Sequence, residues 1–168
     1  MIRPAKFSDT PAIERLLRRV HAKSKYASLT PLNEKALNQV VMSMIAGQNQ
    51  NGPEATFVVV VEHQGKVQGF MAASLSRIYG ICDKLTASDS FIISESRKAS
   101  DTVAMIDAYI AWAMKNPKVV EIILTWSDAV PGGGKMAKLY QRKGFRQVGE
   151  FYEMDYEMRL SRAWEEAA

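Results

Sequence analysis

The sequence predicts a single α/β domain: a mixed, mostly antiparallel sheet of about seven strands with helices on both faces. Two observations lead to it. Residues 57–62 (Phe, four Val, Glu) are the strongest strand in the chain, β-branched almost throughout. They run through His63-Gln64-Gly65-Lys66 into a second strand at 67–76, which is an antiparallel hairpin. Further on, a strand at 87–94, a helix at 99–114 and a strand at 119–126 follow one another. Such a crossover makes its two strands parallel neighbours.

The remaining elements follow in order. Ile2-Arg3-Pro4-Ala5 reads as a short opening strand. Ser8-Asp9-Thr10-Pro11 offers a capping side chain and then a proline whose missing N–H is harmless in a first turn. Ile13, Leu16, Leu17 and Val20 then recur at helical spacing. After a loop over 26–33, a second helix is expected over 34–46 with Leu37, Val40, Val41 and Met44 on one face. The Gly, Asn and Pro of 47–53 break it. In the 99–114 helix, Val103, Ile106, Ile110 and Ala113 mark the inner face, and 119–126 reads as a buried strand. A short helix at 134–143 and two last strands near 146–152 and 154–160 complete a domain over 1–160, with 161–168 as a C-terminal tail.

Composition sets limits on function. The chain has 168 residues, 47% hydrophobic and 24% charged, enough for one core without disulfides or metals. No apolar run approaches the roughly 20 residues of a membrane span, and no apolar stretch follows the charged N-terminus as a signal peptide requires. A cytoplasmic setting and no membrane partner are therefore expected. One cysteine, Cys82, and two scattered histidines, His21 and His63, assemble no zinc set, so no metal is expected. Cys82 has no basic partner in sequence that would make it a nucleophile. The net charge of +4 suits a phosphate-rich ligand, weak nucleic-acid contact or an ordinary solvated surface alike.

Two segments can carry chemistry. In Ile92-Ile93-Ser94-Glu95-Ser96-Arg97-Lys98-Ala99-Ser100-Asp101-Thr102 a strand feeds a long helix. A helix N-terminus presents unpaired N–H groups and suits a phosphate, and Arg97 and Lys98 add cations. The same residues also read as an ordinary cap and a solvated surface. In Leu139-Tyr140-Gln141-Arg142-Lys143-Gly144-Phe145 a short helix ends at a glycine suited to a left-handed cap. There Tyr140 reads equally as a half-buried packing residue.

Taken together, in this order, the two segments resemble the GNAT superfamily of acyl-coenzyme A N-acyltransferases. Ile2-Arg3-Pro4-Ala5 with Ser8-Asp9 is similar to the family's first strand and helix cap, and Leu139-Tyr140 with Gly144-Phe145 to a later motif. The resemblance covers nearly the whole chain and extends to GNAT-like proteins of tailed phages and prophages. It implies transfer of an acetyl group from acetyl-CoA to an amine, by direct attack in a ternary complex. It also implies that the pantetheine arm lies between the strand ending at Ser94 and the strand at 119–126. The N–H groups near Ile92 and Ile93 would stabilise the oxyanion, and those of Lys98, Ala99, Ser100, Asp101 and Thr102 would hold the diphosphate beside Arg97. Tyr140 would assist the departing thiolate. A phenol of pKa about 10 protonates a thiolate of about 8.5 at a cost of roughly 2 kcal/mol, so hydrogen bonding is the safer form of that assistance. Asp89 and Glu95, and also Asp128, are candidates for the base that deprotonates the amine.

The chain departs from the family pattern in two places. Ser100 and Thr102 stand where the diphosphate loop carries small residues, and glycine there lets the backbone approach closely. Asp101 adds a negative charge. A Pro131-Gly132-Gly133-Gly134 run replaces the asparagine that often opens the last helix. These departures leave two alternatives: a catalytically degenerate fold serving as a binding module, or a nucleic-acid-associated modifying protein. Mild charge alone supports the latter, so nucleic acid is not the expected partner. The expected acceptor is a small-molecule or peptide amine, contacted by the first two helices, the 26–31 segment and Tyr79-Gly80-Ile81. A homodimer through the last strands and the Trp164 tail is compatible with the sequence.

Overall fold

The valine run at 58–61 lies within β2, Thr56–His63. It is apolar without alternation because both of its faces are covered. Phe57, Val59 and Val61 pack in one buried cluster and Val58 and Val60 in another. The computed structural model describes residues 1–96, 98–130, 134–150 and 152. The chain divides into two units, Met1–Ala137 and Lys138–Ala168.

In the first unit the described strands are β1 Ile2–Pro4, β2, β3 Lys66–Arg77, β4 Leu85–Ser94 and β5 Val119–Ile123. They form one sheet in the order β1-β2-β3-β4-β5. The first three pairings are antiparallel and β4–β5 is parallel, as the hairpin and crossover require. Helices α1 Thr10–Lys23 and α2 Glu34–Ala46 cover one face through Ile13, Leu16, Leu17, Val41 and Ile45. Helix α3, Ala99–Met114, covers the other through Met105, Tyr109 and Ala113. The mixed sheet with helices on both faces is therefore as expected.

Several expectations change. Among the described residues the sheet has five strands, not about seven. Residues 145–150 form no strand and are mostly exposed. The strand expected over 154–160, the 161–168 tail and its Trp164 lie outside the described residues. β5 ends at Ile123 and not at 126, and it is not buried, with Val120 58% exposed. Within the predicted 26–33 loop, Lys25–Ser28 forms a 3-10 turn. Val40 of α2 is exposed, and the inner face of α3 centres on Met105, Ile106, Tyr109 and Ala113.

The start of α1 also differs from the expected cap. Asp9 makes no side-chain bond to its helix. Its carboxylate instead receives Arg3 Nη1 and Nη2 at 2.7 and 2.9 Å and the Lys6 N–H at 2.8 Å. Arg3 Nε donates to Glu62 at 2.7 Å. The cluster ties β1, β2 and the start of α1 together.

The helix α4 (Gly134–Arg142) spans the boundary of the two units and ends, in the second, in a Schellman motif. Phe145 N–H donates to Tyr140 O at 3.1 Å and Gly144 N–H to Gln141 O at 3.0 Å. Gly144 has φ +89, a conformation only glycine adopts freely.

Candidate active site

On its β3 side, β4 pairs along its full length, from Leu85↔Arg77 to Ser94↔Gly69. On its β5 side the pairing stops at Ser88↔Ile123. Residues 89–94 therefore have no strand partner on that side among the described residues. Here β4 also carries a bulge: Ala73 pairs with Asp89 and Ala72 with Phe91, leaving Ser90 as the extra residue. A bulge shifts the alternation of a strand by one position. Ala87 packs on the α3 face, Phe91 and Ile93 on the α1–α2 face, and Ile92 back on the α3 face.

Two side chains meet the end of β5 where it leaves β4. The Asp89 Oδ1 accepts the Thr125 N–H at 2.8 Å and the Thr125 hydroxyl at 3.0 Å. Burial pushes the Asp89 carboxyl above its usual range, against the opposing pull of the Thr125 bonds. Tyr109, fully buried on α3, donates its hydroxyl to Ile123 O at 3.0 Å. Burial, and then the Asp89 charge, raise its phenol well above the ordinary value.

Glu95 lies elsewhere and is already engaged. Its two carboxylate oxygens take Arg15 at 3.0 Å and Arg19 at 2.8 Å, both from α1. Burial alone would raise its pKa, but the hydrogen bonds from Arg19 and Arg15 hold it below the usual range. Asp128 is an exposed partner of Lys25 at 3.2 Å, and Lys25 N–H donates to Ala129 O at 3.0 Å. The connection after α1 is thereby tied to the chain beyond β5.

Arg97 lies outside the described residues. In the rest of the β4–α3 loop, Ser96 Oγ donates to Asp101 and accepts the Lys98 N–H at 3.1 Å. His63 Nε2, at the end of β2, is 2.7 Å from Asp101 Oδ2. The Ser96 bond and then His63 hold the Asp101 carboxyl below its usual range. The Asp101 side chain is thus bound to its own loop and to β2. Ala99 and Ser100 open α3 and are exposed, with Thr102 half-buried one turn on. An open groove of about 1320 Å³ adjoins the loop, lined by Arg15, Arg19, Lys23, Lys66, Ser96 and Lys98 among others.

Tyr140 belongs to the second unit. It is buried there, with its ring 6.3 Å from that of Phe145. Of the candidates, Asp89, Ile92, Ile93 and Ser94 lie along β4, and Lys98, Ala99, Ser100, Asp101 and Thr102 lie at the start of α3. Tyr109 and Thr125 were missed. A tyrosine at helical spacing looks like core in sequence, and nothing in Thr125 itself marks it as the partner of Asp89. Among the described residues, no group of three or more His, Cys, Asp or Glu could hold a metal ion. None of the described helices is long and apolar enough to cross a membrane.

The chain matches no family profile and no curated protein in sequence. Solved structures do match it in fold. A predicted acetyltransferase of Clostridium acetobutylicum with acetyl-CoA superposes with TM-score 0.65 at 16% identity, over 92% of this chain and 95% of the other. Aminoglycoside N-acetyltransferase AAC(6')-Iy in complex with CoA gives 0.65 at 15%, over 92% and 93%. A transcriptional regulator of Bacillus halodurans gives 0.68 at 15%, over 93% and 99%. These likenesses show the fold, an α/β fold with an open mixed sheet. In particular, the fold is that of the GNAT acetyltransferases.

Proposed function

We propose that this chain is an acetyl-CoA-dependent N-acyltransferase acting on a small-molecule or peptide amine by direct attack in a ternary complex. The carrying observation is the parting of β4 from β5 after Ser88 and Ile123, beside a bulged strand that runs into α3. Such a gap admits an extended arm between two strands, with unused main-chain groups on one wall. Two neighbours in fold hold acetyl-CoA or CoA, which supports the coenzyme.

In this reading, N–H groups near Ile92 and Ile93 stabilise the oxyanion formed when the amine attacks the thioester carbonyl. Ser94 and the start of α3, from Lys98 to Thr102, receive the diphosphate with Arg97. Asp89 is a better base than Glu95: its raised pKa favours taking a proton, whereas Glu95 is held ionised by two arginines. The test is coenzyme A thiol release from acetyl-CoA against a panel of amines, amino acids and peptides. Asp89→Asn, which keeps an acceptor for Thr125, is expected to lower kcat about 10²–10⁴-fold and to remove the acidic limb of the pH–rate profile. A profile that keeps that limb assigns the base elsewhere.

A second reading, a catalytically silent fold that binds a partner, draws on Ser100, Asp101 and Thr102 in the diphosphate loop. Calorimetry with acetyl-CoA separates the two, because absence of binding at millimolar concentration rules out the enzyme.

A further inference from the structure

The sequence of β5 does not stop where its pairing does. Leu124, Thr125 and Trp126 continue the strand-forming run, yet the ladder to β4 ends at Ile123. Main-chain groups that leave a ladder take new partners, and here two side chains supply them. The Ile123 carbonyl takes the Tyr109 hydroxyl at 3.0 Å, and the Thr125 N–H goes to Asp89 at 2.8 Å. These groups are two residues apart and therefore lie on one side of an extended chain. Tyr109 is itself closely packed. It is fully buried, and its ring packs against Phe57 at 5.9 Å and Trp112 at 6.1 Å between centroids. A packed aromatic on α3 thus holds one edge of the opening while a β4 carboxylate holds the next turn of chain.

We infer that Tyr109 is a positioning residue, whose hydroxyl fixes where β5 parts from β4 and so sets the gap that receives the pantetheine arm. The inference rests on the acyltransferase reading. Phenylalanine at 109 preserves the packing and removes only the tether. Without it, the Ile123 carbonyl seeks another partner, and the gap loses its preset width before the coenzyme arrives.

Tyr109→Phe is therefore expected to weaken acetyl-CoA binding by about five- to tenfold, the equivalent of one lost hydrogen bond. The KM for the amine should stay within about twofold of wild type. Amide hydrogen exchange at 123–126 should accelerate while that of β2 and β3 does not. A merely structural role lowers the melting temperature but leaves coenzyme affinity and this local exchange unchanged, and that result overturns the inference. If Tyr109→Phe does not fold, Thr125→Val is measured in the same two ways. It removes one of the two bonds to Asp89 and should shift both readouts in the same direction. A wild-type protein that binds no acetyl-CoA overturns both readings. A wild type that binds it no better than its tether variants overturns this one alone.

Discussion

Asp9 shows how far a single residue can depart from its local role. In sequence it stands where a helix cap is expected; in the fold it is one arm of an ion cluster centred on Arg3. The Arg3 hydrogen bond, opposed by burial, draws the Asp9 carboxyl below its ordinary value. The stabilisation it contributes is present above the unfolded carboxyl value of about 4 and is lost as the pH falls through the lower folded value. Asp9→Asn is expected to cost about 1.5–3 kcal/mol at neutral pH, the range for hydrogen bonds to charged groups. Denaturant melts of variant and wild type should converge in strongly acidic solution. A constant difference across pH assigns the cost to packing instead. The places of the candidates were legible at this scale: Asp89 and Ile92 to Ser94 lie on β4, and Ala99 to Thr102 open α3. Tyr109 and Thr125 were not, because their roles depend on atoms brought from 14 and 36 residues away, which no local spacing encodes.

Element by element, periodicity located α2 and α3 at their observed limits, since capping side chains, breakers and long apolar stripes are local signals. It misjudged β5 because propensity says nothing about where pairing to a neighbouring strand stops. It also placed a strand near 146–152, and residues 146–150 form none, since pairing is a tertiary property. One close approach inside the sheet has a measurable consequence. A Cβ at Gly69 would lie 2.8 Å from Ile93 O and 3.2 Å from Ser94 Cα, both main chain and unable to yield cheaply. Gly69→Ala is expected to destabilise the protein by about 1–3 kcal/mol and to displace the end of β4 that carries Ile92 and Ile93. Stability within about 0.5 kcal/mol of wild type would show that β3 and β4 can separate there without cost.

For the molecule as a whole, the two buried clusters explain why the sheet tolerates a perturbed strand. Each face is closed by its own helices, α1 and α2 on one and α3 on the other, so β4 need only present the right side chain to each. The fold class was readable for that reason: continuous apolar strands require cover on both sides. The acceptor was not readable, because its recognition depends on loop surfaces rather than on pattern. The extra residue in β4 places an unequal constraint on change. Any moderately sized side chain at position 90, which is exposed, leaves the strand's frame intact. Removing the position restores a two-residue beat and sends the side chains of Phe91, Ile92 and Ile93 to the wrong faces. In a library holding every substitution and every single-residue deletion, Ser90 substitutions should be recovered near wild-type abundance. The Ser90 deletion should be lost with the core-disrupting variants, and its survival would mean that β4 can re-register without its bulge.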